Sequence, residues 1–266
     1  MCFEKEIEER IIEMSKNFEL KSCAHEFMKA SLLPKYSYNF SWLDRPIIQY
    51  PQDIVAMQEL IWQTKPDLII ETGIAHGGSL IMNASMLAML DMCDAIESGT
   101  MFDPCVSSRK VVGIDIDIRA HNRAAIEAHP MISRIDLLEG SSIDQDIIDQ
   151  VKNIASRHKR VLVCLDSNHT HDHVLAELRA YAPLVSINSY CVVFDTIIED
   201  IPGELSADRL WAPGNNPKTA VREYLSFLNG NQNIASDGSV LNFEVNQLIE
   251  NKLLISVAPS GYLRRI

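Results

Sequence analysis

Apolar positions in this chain follow two rhythms. Over residues 3–30 they recur every three or four places, and Phe3, Ile7, Ile11, Met14 and Phe18 form one stripe on an otherwise charged helix. Such a stripe needs cover, from the main body or from a second subunit. The next segment, "LLPKYSYNFSWLDRPIIQYPQD", interleaves aromatics with prolines and polar residues, which is loop chemistry. Its aromatics either line a pocket or anchor the arm. From residue 53 onward, short and continuously apolar runs alternate with helical patterns. "PDLIIET", "KVVGIDID", "RIDLLEG", "RVLVCLD" and "SYCVVFD" read as strands with a helix between each pair. Apolar strands spaced by helices predict a mostly parallel sheet covered on both faces. After residue 200 the pattern loosens into a long loop, "PGELSADRLWAPGNNP", a helix, "KTAVREYLSFL", and two late strand candidates, "LNFEV" and "KLLISVAP". The organisation predicted is a helical arm with an aromatic loop (1–52) and one α/β, Rossmann-like domain (53–266).

The polar residues of the apolar runs gather at their carboxyl ends: Glu71, Asp115 and Asp117, Glu139 and Gly140, Asp166, and Asp195. Open parallel sheets bind ligands outside these ends. "ETGIAHGGS" (71–79) follows a strand and opens a helix. Gly73 permits a tight turn, while Gly77 and Gly78 let a ligand approach the backbone at the helix N-terminus. The spacing departs from G-x-G-x-x-G because Ala75 replaces the middle glycine, which weakens a dinucleotide reading. A carboxylate at Glu71 repels pyrophosphate and suits a cationic or hydroxyl-bearing ligand. Asp115 is placed to bond a ribose, with Asp117 as its rival. Ser142, with Ser141, either reads an adenine edge or caps the next helix. A nucleoside ligand without a diphosphate and with a positive tail describes S-adenosylmethionine.

The segment "LDSNHTHDHV" (165–174) concentrates three histidines and two aspartates. The dizinc pattern H-x-H-x-D-H fails here by one residue, and parallel alternation argues against the fold that carries it. Asp166 and Asp195 end neighbouring strands, and two carboxylates so placed suit Mg²⁺. Bound Mg²⁺ would acidify a substrate hydroxyl. His169, three residues beyond Asp166, is then the candidate general base. His171 and His173 fall at a helix start and read as structural or supporting. Trp42, Tyr38, Trp211 and the "WAPGNNP" loop form either an acceptor lid or oligomer contacts.

The net charge of −12, without a basic run, speaks against nucleic-acid binding. The six cysteines include no C-x-x-C pair, which points to a reduced, cytoplasmic protein without a zinc knuckle. "MCFEKEIEER" lacks the apolar core of a signal peptide, and no apolar stretch reads as a bilayer span.

"IIETGIAHGGSLI", "VVGIDIDIRAHN", "LLEGSSID", "VLVCLDSNHTHDHV" and "YCVVFDTIIED" occur in the order found in the cephalosporin hydroxylase family, which includes rhamnosyl O-methyltransferases. The chain resembles this family from about Phe40 to "ENKLLISVAPSGYLRR". The resemblance implies a class I S-adenosylmethionine-dependent methyltransferase, often Mg²⁺-dependent, acting on a hydroxyl of a sugar in a glycan or secondary metabolite. It also implies an Asp-x-x-His segment that supplies a metal ligand and the base, matched by Asp166 and His169. In the implied assignment Glu71, Gly73, Gly77, Gly78 and Ser79 hold the methionine part, Asp115 the ribose and Ser142 the adenine. Asp166 and Asp195 hold the metal, and a homo-oligomer is expected. Relatives carry Glu-Asp at the end of the fifth strand where this chain reads Phe194-Asp195. Glu199 and Asp200, four residues on, are the substitute acids. The rival readings are an NAD-dependent oxidoreductase and a catalytically silent protein that binds the same cofactor. A hydroxylase is suggested by the family name alone, since no His-x-Asp…His iron triad is present.

Overall fold

The computed structural model describes residues 3–206, 208–230 and 232–266. Cys2, one of the scattered cysteines, and Ala207, within the long late loop, lie outside the described residues. The arm comprises helices α1 (Phe3–Lys16) and α2 (Phe18–Leu32), then a short antiparallel hairpin of β1 (Phe40–Trp42) and β2 (Arg45–Ile47). Helix α3 (Pro51–Thr64) leads into β3 (Leu68–Thr72), α4 (Gly78–Ser98), β4 (Lys110–Asp115), α5 (Ala120–Glu127) and β5 (Ile135–Glu139). Helix α6 (Gln145–Ala155), β6 (Val161–Leu165), α7 (His171–Tyr181) and β7 (Tyr190–Val193) continue the alternation. Helix α8 (Pro217–Gly230), β8 (Phe243–Val245), α9 (Gln247–Leu253) and β9 (Tyr262–Arg265) complete it.

The main sheet has the order β5-β4-β3-β6-β7-β9-β8. Strands β3 to β7 pair in parallel, and β9 runs antiparallel to both β7 and β8. Alternate side chains of each strand feed opposite faces. Ile69, Val111, Leu162 and Val192 pack beneath α3 and α4, whereas Ile70, Val112, Val163 and Val193 pack beneath α6, α7 and α8. From β3 the chain moves outward to β4 on one side and later returns to β6 on the other. A crevice therefore opens at the carboxyl ends of β3 and β6.

The expected single helix over 3–30 is broken at Asn17, whose side chain caps α2 by accepting from the Leu20 amide at 3.0 Å. The break puts the stripe out of phase. Ile11 is buried, but Phe3 and Phe18 are exposed. The "KLLISVAP" strand does not form, because Lys252 and Leu253 end α9 and the last strand lies in "GYLRR". Among the described residues, α4 is the one helix long and apolar enough to cross a membrane, and half of that stretch is buried inside the fold. Residues before 53 share the main core, with Met28, Ile47 and Tyr50 buried in the α3/α4 cluster.

Candidate active site

A cleft of about 550 Å³ lies over the strand ends, within the ~300–1,000 Å³ range of ligand sites. One half is formed by the 73–79 turn, Asp115 and Ser167. The other is formed by arm residues between 32 and 38 and by 46–50, with His169, Asp195, Ile197, Ile198, Ile201 and Trp211.

The glycine turn is held mainly by the protein's own backbone and polar side chains. Gly73 has φ +79°, and Ala75, in place of the usual middle glycine, is forced to φ +44°. Asn122 on α5 donates to the Ala75 carbonyl at 3.0 Å, and Arg45 Nε donates to the His76 carbonyl at 3.0 Å. Neither Arg45 nor Asn122 carries a sequence signal for this role, because each acts through a contact distant in the chain. Gly77 sits at φ +82° against Ile126. At Gly78 the close approach is made by the Pro46 carbonyl, 2.2 Å from where a Cβ would stand, so its missing side chain admits β2. Asp115 lines the cleft, accepting from the amides of Ile74 (3.0 Å) and Asp117 (3.2 Å). Asp117 is exposed and contributes its backbone.

Glu71 is buried and faces a small void behind the cleft. It accepts from Ser79 Oγ and from Asn83 Nδ2, the latter at 2.9 Å. Burial raises its carboxyl to about 7 against the lowering effect of those two bonds. A carboxyl raised in the folded state stabilises the fold fully below its unfolded value of 4.5, and that contribution is lost as pH climbs through about 7. Asp53, raised by burial to about 6, acts with the same sign. Glu71→Gln is expected to flatten the loss of stability over this window by on the order of 3 kcal/mol. Urea midpoints at about pH 5 and about pH 8 measure it, and an unchanged slope refutes it.

Ser142 is buried away from the cleft. Its hydroxyl donates to Glu177 at 2.6 Å and lies 3.0 Å from His173 Nε2. Ser167, which does line the cleft, also donates to Glu177 at 2.6 Å. His171 ties α7 to α8 through Thr219 (2.8 Å) and Glu223 (3.1 Å).

Asp166, His169 and Asp195 come together on the cleft floor, offering ligand atoms all within 4.8 Å of one another. His169 Nε2 is 3.1 Å from Asp195 Oδ2 and meets the Trp211 ring edge-on at 4.8 Å. Burial pushes the Asp166 carboxyl well above the usual carboxylate range, and Asp195, Glu71, Glu177 and Asp53 push it the same way. Gln49 Nε2 donates to it at 3.4 Å. Two converging carboxylates and an imidazole, with no lysine or arginine paired to them among the described residues, fit a divalent cation.

Glu199 and Asp200 do not supplement this set. Glu199 accepts from the Gly214 amide (2.8 Å) and from Asn216, and pairs with Arg222, while Asp200 pairs with Lys218. Phe194 is buried in the α3/α4 core, so its position offers the cleft no ligand. Trp42 donates to Ser85 on α4 at 3.0 Å and is an anchor; Tyr38 and Trp211 line the cleft.

The profile of the Rhamnosyl O-methyltransferase/CmcI family matches residues 34–266. A rhamnosyl O-methyltransferase of Mycobacterium tuberculosis is 27% identical over 217 residues, covering 80% of this chain and 73% of the relative. That of Mycobacterium leprae is 25% identical over 163 residues, covering 61% and 62%. A CmcI structure described with Mg and SAM superposes with a TM-score of 0.53 at 15% identity, covering 86% of this chain and 77% of that one. An apo structure of CmcI gives 0.52 at 16% identity over the same shares. The sheet order and these superpositions give the class I methyltransferase fold, and the chain belongs to the rhamnosyl O-methyltransferase/CmcI family of S-adenosylmethionine-dependent O-methyltransferases.

Proposed function

We propose that this enzyme moves the methyl group of S-adenosylmethionine to a hydroxyl of a sugar, in the cytoplasm, with His169 as the base and Asp166 and Asp195 as ligands for Mg²⁺. The convergence of Asp166, His169 and Asp195 beside the glycine turn carries this reading. The mycobacterial relatives are named rhamnosyl O-methyltransferases, which supports a sugar acceptor.

In the reaction the acceptor oxygen attacks the sulfonium methyl carbon. A C–O bond forms, the C–S bond breaks, S-adenosylhomocysteine leaves, and the hydroxyl proton passes to His169. Mg²⁺, when bound, lowers the pKa of the acceptor hydroxyl. The residues of the chain do the remaining work. The 73–79 turn seats the methionine part at the start of α4, with Ser79 held by Glu71. Asp115 accepts from the ribose hydroxyls. Ser167 takes the place of Ser142 on the adenine side, because Ser167 lines the cleft and Ser142 does not, although both hydroxyls donate to Glu177. Asp195, 3.1 Å from Nε2, fixes the ring so that the other nitrogen, Nδ1, receives the proton. Trp211 covers the ring and keeps bulk water from it. The cofactor is already activated, so catalysis is mostly positioning and deprotonation.

Exposed Phe3, Ile7 and Phe18 on the arm supply apolar surface for a second copy of this chain, in line with the expected homo-oligomer. Calorimetric titration of S-adenosylhomocysteine, with and without Mg²⁺ and with NAD as the control, tests the central reading. Binding of the homocysteine compound alone is expected. Binding of NAD in its place, or of neither, overturns it and restores the oxidoreductase or another reading.

A further inference from the structure

The chain carries 36 acidic and 24 basic residues, and three aspartates (Asp115, Asp166, Asp195) line the cleft. Against that background two cations, Lys35 and Arg209, stand on the acceptor side of the same cleft. Among the described residues, neither has a carboxylate within ion-pair distance. Each is stacked on an aromatic ring instead. Lys35 Nζ lies 5.5 Å from the centroid of Tyr38, and Arg209 Cζ lies 5.3 Å from that of Trp211. Trp211 is also the ring in edge contact with His169, so Arg209 is one aromatic ring away from the base.

Neither cation rests on loose chain. Lys35 occupies a left-handed turn, φ +52°, in which its amide donates to Leu32 and its carbonyl accepts from Tyr38, both at 3.0 Å. The loop bearing Arg209 is closed by Asn215, whose side chain donates to the Leu210 carbonyl at 2.9 Å, and by Glu199, which binds Gly214 and Asn216. A guanidinium stacked on indole keeps its N–H edge available for an oxyanion, and a stacked ammonium likewise keeps donors free. Unpaired cations beside a metal and base site are suited to neutralise a phosphate on the substrate.

We infer that Lys35 and Arg209 form an anion subsite, and that the acceptor is a sugar carrying a phosphate or diphosphate at its anomeric carbon rather than a neutral glycoside. This rests on the methyltransferase reading above and narrows its substrate. It places methylation before glycosyl transfer: the substrate is supplied by a reaction that forms a sugar phosphate or nucleotide sugar, and the product is consumed by a glycosyltransferase.

The test is calorimetry on the full chain loaded with S-adenosylhomocysteine and Mg²⁺, using dTDP-L-rhamnose, L-rhamnose 1-phosphate and methyl α-L-rhamnoside as probes. A charged probe is expected to bind about tenfold or more tighter than the neutral glycoside, and Lys35→Ala/Arg209→Ala to erase that margin without weakening S-adenosylhomocysteine. Preference for dTDP-L-rhamnose over the 1-phosphate assigns a diphosphate, and equal binding of the two assigns a single phosphate. Equal or better binding of the neutral glycoside, absence of binding by both charged probes, or a margin that survives the double substitution overturns the subsite. Failure of S-adenosylhomocysteine to load the unsubstituted protein instead overturns the methyltransferase reading itself, so the two failures are distinct.

Discussion

His169→Ala is expected to lower kcat by about 10²–10⁴-fold, the usual contribution of a positioned general base, while S-adenosylhomocysteine binds as before. The ring sits on the acceptor side of the cleft floor, whereas the glycine turn and Asp115 form the opposite half. Removing the imidazole therefore takes away a proton acceptor without touching the expected cofactor contacts. A purely structural histidine would give the reverse pattern, since losing its contacts with Asp195 (3.1 Å) and Trp211 would loosen the floor and weaken cofactor binding. Single-turnover rates paired with calorimetric Kd values separate the two. Asp166→Asn is the companion measurement: it keeps the shape, removes a charge from the carboxylate pair, and should abolish the response to added Mg²⁺. Near-normal turnover in His169→Ala with the cofactor bound would falsify the base assignment. An unchanged Mg²⁺ response in Asp166→Asn removes the metal site from this position.

The sheet was legible because its signal is local. Buried parallel strands must be apolar on both faces, so β3, β6 and β7 stand out as uninterrupted runs, and the acids ending them mark one edge of the sheet. The last strand was missed because "KLLISVAP" is as apolar as a strand. Its first residues complete a helix capped by Asn246, and the pairing of Tyr262 with Val192 depends on residues 70 positions apart in the chain. Asp166, His169 and Asp195, singled out from the strand ends and the loop after β6, do come together in the cleft. The partners that orient the site could not. Arg45 reaches His76, Asn122 reaches Ala75 and Gln49 reaches Asp166, each across a separation that no spacing rule encodes. Ser142 shows what position leaves open. It follows a strand end, but its side-chain direction is set by a buried carboxylate on α7, which no spacing in the sequence reveals.

Gly73→Ala is expected to cost about 3 kcal/mol or more of stability and to abolish S-adenosylhomocysteine binding in whatever folds. Two effects add. The residue sits at φ +79°, which an L side chain adopts only with strain. In addition, a Cβ there would stand 2.1 Å from the Asp166 carbonyl oxygen and 2.6 Å from Ser167 Cα. Those neighbours are backbone, so no rotamer change relieves the clash. The ends of β3 and β6 would have to separate, against the Asp166 amide donating to Thr72 O at 2.9 Å. Separation at that point displaces the glycine turn and Asp166 together, so under the proposed assignment cofactor binding and the metal response should fail at once. Gly214 provides the control: its φ is +88° and nothing lies within 4 Å of its Cβ position, so Gly214→Ala carries the strain alone, about 1 kcal/mol. Urea unfolding and calorimetry on both variants decide the matter. Equal losses in the two would mean that conformational strain is the whole effect and that the strand ends give way freely. A larger loss at Gly73, coupled to lost cofactor binding, identifies contact between the first and fourth parallel strands as the feature that sets the distance between cofactor and base.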